Sequence, residues 1–201
     1  MKYGAKNAMW APIKSDASAS AQPTYDTVVA LPGLNKVDDS INNSSAAGYG
    51  DDAKAVEITE FTGGSVTTTH LDFTEAALAA MLDLGTDTNG GLTYKGDCDP
   101  PFGGYGFTTS CMTEAKQKYY KVVFYPKIRA QVGNSTYDTK GENITLANEV
   151  LAFSMFQAAC GAYIVKKNFD TEAAAKAYLE GLFSGSSKFP GFTAGQSQSG
   201  N

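Results

Sequence analysis

The chain is short of charge, of histidine and of long apolar runs. Charged residues make up 18% of its 201 residues, a low share for a soluble monomer and one that suits a chain covering its surface with partners. Its 16 basic residues are outnumbered by 21 acidic ones, for a net charge of −5 and a pI near 4.9. Gripping nucleic acid needs a Lys/Arg surplus against phosphates, so that class is excluded. The only histidine is His70, and no HExxH, zinc-ligand spacing, phosphate loop or dinucleotide fingerprint occurs. His70 falls on the strand parity of Val66 and Thr68, as expected of a packed or hydrogen-bonded side chain. A Ser-His-Asp triad built on it stays open, but no Gly-x-Ser-x-Gly elbow supports one. The three cysteines, Cys98, Cys111 and Cys160, are an odd number without CxxC spacing, so reduced thiols in a cytosolic product are expected. Spacing does not decide whether Cys98 and Cys111 pair. No stretch has the length needed to span a bilayer. Met1-Lys2-Tyr3 leads into Gly, Asn and Trp, so no secretory leader is expected. The acidic pairs Asp38-Asp39 and Asp51-Asp52 invite calcium, but their spacing matches no EF-hand and solvated or pore-facing carboxylates are expected instead. Neither catalysis nor a cofactor nor a metal is anticipated.

What the chain has is glycine, 21 residues, with many Thr, Ser, Tyr and Val, a composition of strands and turns. Tyr3 to Ile13 reads as a first strand, and Tyr25 to Leu31 as a second that stops at Pro32-Gly33. Leu34 to Asn42, a turn at Asn42-Asn43-Ser44-Ser45 and Ala47 to Glu57 form an extended hairpin. It is too polar to bury both faces, and a two-stranded ribbon is marginal alone in water, so something outside the subunit is expected to hold it. Val56 to Leu71 reads as another hairpin, turning at Gly63-Gly64. Phe102 to Thr113 is a strand in which Gly103, Gly104 and Gly106 permit close approach or a bulge. Tyr119 to Arg129 is the strongest strand. Tyr120, Val122 and Phe124 point one way, and Tyr119, Val123 and Tyr125 the other. Both faces are apolar, so each needs a covering layer, from this chain or a neighbour. Ile144 to Phe156 changes apolar parity near Asn148-Glu149, which implies a bulge or a change of sheet. Gly161 to Lys167 is a shorter strand.

Two segments have helical periodicity. Phe73, Ala76, Ala77, Ala80, Met81 and Leu84 share a face, with Asp72 and Glu75 as a capping box and Gly85 as the stop. A second helix is capped by Asp170, with Ala173, Ala174, Ala177, Tyr178 and Leu182 on one stripe and Gly185 after it. Ser184 to Asn201 is Ser/Gly/Gln-rich, a composition that stays disordered unless held. The organisation is therefore one domain over 1–183, with an arm at 34–57 and a tail at 184–201. The fold class is mainly β (α+β): an antiparallel sandwich or small barrel, one or two flanking helices and a long hairpin arm.

An ordered set of segments then resembles one family. It runs from Tyr3-Gly4 and Trp10-Ala11-Pro12-Ile13 through Gly48-Tyr49-Gly50-Asp51-Asp52 and Glu60-Phe61-Thr62-Gly63-Gly64-Ser65-Val66-Thr67. It continues with the helix from Phe73, Pro101-Phe102-Gly103-Gly104-Tyr105-Gly106-Phe107 and Tyr125-Pro126-Lys127. It ends with Thr139-Lys140-Gly141-Glu142-Asn143-Ile144 and Phe169-Asp170-Thr171. This set resembles the phi13-type major tail proteins of siphophages. The resemblance implies a tail tube subunit in the virion: hexameric rings whose inner sheets join around a lumen, stacked through the arm. It implies no cofactor and no catalysis. The partners would be other copies, the tape measure protein, adjacent tail completion proteins and DNA passing without sequence-specific binding, with no membrane. Inter-subunit contacts are expected at Val37, Ile41, Tyr49, Asp51 and Asp52. Tyr120, Val122, Phe124 and Tyr125 are expected in the sheet core or ring interface, and Asp38, Asp39, Asp51 and Asp52 toward the lumen. The rival readings are a tail terminator or sheath component, a carbohydrate-binding β-sandwich, and a hydrolase using His70.

Overall fold

In the computed structural model, which describes residues 1–50, 53–132 and 148–192, the strand expected to carry two apolar faces does so, and this chain covers both. The elements are β1 (Lys2–Ser15), β2 (Thr24–Tyr25), β3 (Val29–Leu31), β4 (Leu34–Gly50), β5 (Ala53–His70), α1 (Glu75–Leu82), β6 (Gly85–Thr86), β7 (Leu92–Thr93), β8 (Phe102–Met112), β9 (Lys118–Gln131), β10 (Glu149–Met155), β11 (Val165–Phe169) and α2 (Glu172–Ser184). Nine strands form one antiparallel sheet in the order β2-β1-β8-β9-β10-β5-β4, with β3 also on β1 and β11 also on β9. β6 and β7 make a separate small ribbon.

Side-chain alternation along β9 divides the core in two. Val122 and Phe124 join Met9, Ala11, Tyr25 and Val165 under the buried stripe of α2. Val123 and Tyr125 face the other way and join Trp10, Tyr105, Phe153, Phe73 and Met81. The sheet curls over this second cluster until β4, last in the strand order, lies against β1. It does not close into a barrel: β1 and β4 share no ladder, and a cleft of about 250 Å³ lies between Tyr3, Gly4 and Ala5 on one side and Asn35, Lys36 and Val37 on the other. A bulge makes the curl. Gly103 pairs with Ile128 and Tyr105 with Tyr125, so β9 carries one more residue than β8 across that step. The apolar parity of β9 flips there, from Tyr125 to Ile128 and Ala130.

Several boundaries differ from the sequence reading. The stretch from Tyr25 to Leu31 splits at Asp26, whose carboxylate accepts from Thr27 N at 2.9 Å, leaving β2 and β3. The two expected hairpins are one. β4 and β5 pair from Leu34↔His70 out to Gly50↔Ala53, so the reversal falls at residues 51–52, outside the described residues. Gly63-Gly64 is not a turn. It lies within β5, where Gly63 has φ +145° and a Cβ on Gly64 would run into the Ser40 carbonyl oxygen. Those glycines serve a bulge and a close backbone approach. α1 is capped by Thr74, whose hydroxyl accepts from Ala77 N at 3.3 Å, and ends on Asp83 in the left-handed region. Asp72 and Gly85 are not its caps, and Ala76 and Ala80 are exposed. Thr171 rather than Asp170 caps α2, which ends at Gly185 as expected. Its buried face is Ala175, Tyr178, Leu179, Leu182 and Phe183, while Ala173, Ala174 and Ala177 are exposed. β11 begins at Val165, four residues after the expected start at Gly161. The parity change expected near Asn148-Glu149 cannot be followed, since residues 133–147 lie outside the described residues.

The Ser/Gly-rich segment after α2 is held by its own chain as far as Phe192. Tyr178 Oη donates to the Lys188 carbonyl at 2.6 Å, and Gln22 bonds both Ser187 O and Phe189 N. Phe189 is buried on Phe124. Two phenylalanines in a polar segment supply the apolar area that its overall composition hides. Residues 193–201 lie outside the described residues.

Candidate assembly interface

The base of the β4–β5 hairpin belongs to the body. Val37 packs against the inner core. Asp39 lies beside the Tyr125 phenol and faces Lys166 at 3.9 Å. Burial, and then the Asp39 charge, push the Tyr125 phenol upward from its ordinary value. Phe61 stacks on Tyr163 with ring centroids 4.2 Å apart and planes 8° from parallel. Val37 is half-buried and Asp39 stays exposed, and each also engages its own chain at the base of the hairpin. Asp38, on the opposite face, is exposed and pairs with Lys36 at 2.6 Å.

Beyond that base the hairpin leaves the body. Residues 40–47 and 57–60 are exposed, including Ile41 at 40% and Ile58 at 58% of their full surface. The arm continues through Tyr49, which pairs with Lys54; Asp51 and Asp52 lie outside the described residues. At about 3.4 Å per residue, the ladder from Asn43 to Gly50 runs for roughly 24 Å beyond that base. Two strand edges stay open along it among the described residues. β4 pairs only with β5. β5 pairs with β10 only from Gly64 to His70, so its outer edge from Ala53 to Gly63 meets no strand. The sequence reading missed Ile58. Ile58 shares sequence parity with the buried Val66, and the extra β5 residue at Thr62 separates their faces.

The four residues of β9 expected in the core or a ring interface resolve to the core. Val122, Phe124 and Tyr125 are buried, and Tyr120 is half-buried against the α2 cluster. The glycines of β8 are explained by what they face: a Cβ on Gly103 would meet the Trp10 indole, on Gly104 the Tyr25 and Phe124 rings, and on Gly106 Leu179 and Phe124.

His70 is fully buried and both ring nitrogens are engaged. Nδ1 lies 2.8 Å from the Pro32 carbonyl, which can only accept, so the proton sits on Nδ1. Nε2 then accepts from Thr68 Oγ1 at 2.9 Å, and that hydroxyl accepts from Tyr105 Oη at 2.9 Å. This is the packed, hydrogen-bonded histidine, with neither a serine nor a carboxylate on its ring nitrogens. Burial holds its pKa below 6.5, and the bond to Pro32 only partly offsets that. The unfolded chain therefore takes up the proton first as pH falls. Stability is whole above 6.5 and declines below it. In urea titrations on either side of that value, wild type should lose more of its midpoint than His70→Gln does; equal losses would remove His70 from the account.

Other features close off competing sites. All three cysteines are free, Cys111 buried and Cys98 and Cys160 half-buried, so Cys98 and Cys111 do not pair. Among the described residues no cluster of His, Cys, Asp or Glu could hold a metal, and no helix is long and apolar enough to cross a membrane. Asp99 pairs with Arg129. Phe102 and Phe156 form an exposed aromatic pair, rings at 90°, flanked by Lys127 and Arg129. No protein-family model matches the chain, and no curated protein matches it.

Proposed function

We propose that this chain is a structural subunit of a bacteriophage tail tube. Copies join into rings, six to a ring as in the family it resembles, and rings stack into a channel that carries the tape measure protein and then DNA. The observation that supports this most is the hairpin arm. A two-stranded ribbon exposed at each arm position whose burial is described, and open along both edges among the described residues, is marginal in isolation, and an open edge is a template for pairing. Such an element makes physical sense when other copies complete it. Closed rotational symmetry satisfies the edges sideways, and head-to-tail contact extends the assembly lengthwise. The net charge of −5 suits a channel along which phosphates slide without sticking. The subunit would reside in the virion, against the tail completion proteins at the tube ends.

Negative-stain electron microscopy of the purified chain tests the reading. Rings or tubes with a central channel are expected. Long tubes formed by the chain alone distinguish a tube subunit from a terminator, which stops at one ring. A monomer persisting at every concentration in sedimentation velocity would overturn the proposal, and a glycan-dependent shift in that monomer would favour a carbohydrate-binding module.

A further inference from the structure

The arm offers two open edges of different character. From Ser40 to Gly50, β4 has neither a charged residue nor a proline, and nothing pairs with its outer edge among the described residues. Lysine, proline and inward charges are devices by which a solitary sheet prevents edge pairing, and this stretch of β4 has none of them; the two bulges of the arm ladder, another such device, fall on β5, at Thr62 and Ala55. The open stretch of β5, Ala53 to Gly63, is of the same length but carries Lys54, Glu57 and Glu60. The two edges lie on opposite sides of one hairpin, two strands wide, and run antiparallel to each other.

Resting on the reading of the chain as a self-assembling tube subunit, we propose that the β4 edge from Ser40 to Gly50 pairs with the β5 edge from Ala53 to Gly63 of a second copy. The arms thereby join side by side into one continuous sheet. Two alternatives fit less well. Pairing of β4 with β4 across a twofold axis consumes one edge and leaves every β5 edge open, so it closes a dimer and stops. Pairing of β5 with β5 sets two net-negative strands opposite each other, each with Glu57 and Glu60 against the single Lys54, and that excess of like charge opposes pairing. Only the β4-to-β5 contact uses both edges of every copy and repeats indefinitely until the ring closes. The small side chains of Ser44, Ser45, Ala46 and Ala47 let a neighbouring strand approach along its whole length.

Disulfide trapping between copies tests the pairing. In a background with Cys98 and Cys160 changed to Ser, chains bearing Asn43→Cys, Ser45→Cys or Ala47→Cys are each mixed with chains bearing Thr59→Cys, then assembled and oxidised. Using two different chains removes cross-strand bonds within a hairpin. The expected result is a crosslinked dimer of unlike chains, from at least one mixture and in several-fold excess over like-chain dimers. Like-chain dimers of the β4 variants would identify the twofold β4 contact and overturn the proposal. Assembly without any crosslink, in a background that forms the same particles as wild type, would overturn it too. Failure of wild type itself to assemble sinks the tube reading, which is a different outcome and separately visible. A second variant pair needs no cysteine: Ser44→Lys and Ala46→Lys, which guard the β4 edge, should reduce assembly at least tenfold while leaving the melting temperature unchanged. Unchanged assembly in both would again overturn the pairing.

Discussion

Trimming the arm should leave a folded protein that no longer assembles. The variant replaces residues 44–60 by an Asn-Gly turn that joins Asn43 to Phe61, which already face each other in register. A two-residue Asn-Gly turn matches the twist of the flanking strands. The cut spares three contacts that tie the hairpin to the body: Val37 in the core, Asp39 beside Tyr125, and Phe61 stacked on Tyr163. What it removes is exposed at every position whose burial is described. Surface elements away from packed features change stability by roughly ±0.5 kcal/mol per substitution, so the thermal midpoint should move by a few degrees at most. Assembly, read by sedimentation and electron microscopy, should fall to background. A trimmed chain that still forms tubes would show that the arm is dispensable and withdraw the main support for the functional proposal. A trimmed chain that unfolds would show instead that the arm stabilises the monomer, contrary to its exposure.

How much of this was legible in the sequence depended on whether one signal or two competed at a position. In β9 the alternation of Val122 and Phe124 against Val123 and Tyr125 could be read directly, because period two has no rival over a run of β-branched and aromatic residues. The glycines of β8 were equally plain as sites of close approach, though not which rings they face. Asn42-Asn43-Ser44-Ser45 and Gly63-Gly64 misled. Each has turn chemistry, and nothing local says that the two lie opposite each other in one long ribbon. The pairing of Ile41 with Gly64 and Asn42 with Gly63 is a long-range fact. The helix caps slipped because Asp72 and Thr74, like Asp170 and Thr171, are both good cap residues. The threonine wins in each case by standing three residues before the N–H it accepts from. Buried stripes failed where alanine dominates: Ala173, Ala174 and Ala177 and the buried Ala175 have the same hydropathy, and the larger Tyr178, Leu179 and Phe183 decide which face turns inward. The arm was legible as a polar ribbon lacking a home. Its open edges were not, since an edge is defined by the strand that is missing from beside it.

The second large effect expected lies in the core, at the contact of β1 with β8. Trp10 is fully buried and its indole lies where a Cβ on Gly103 would stand. Gly103 pairs with Pro12 on β1, so neither strand can withdraw without breaking the ladder. Gly103→Ala should therefore lose about 1–3 kcal/mol by overpacking, and Trp10→Ala about 3–5 kcal/mol by leaving a cavity. Either is a large fraction of the roughly 5–15 kcal/mol that holds a domain folded. In the double variant the added methyl enters the space that the indole vacated, so the losses should fall short of their sum by on the order of 1–2 kcal/mol, a coupling of the size seen for residues in contact. Trp10→Phe gives a milder background for the same cycle. It also removes indole Nε1, a buried donor with no hydrogen-bond partner among the described residues; a group in that state costs about 1–3 kcal/mol, so Trp10→Phe should be far less damaging than Trp10→Ala. Urea unfolding of the four proteins in each cycle provides the measurement. Strict additivity in both backgrounds would mean that the indole can move aside at no cost, and that Gly103 is glycine for some reason other than the ring packed against it.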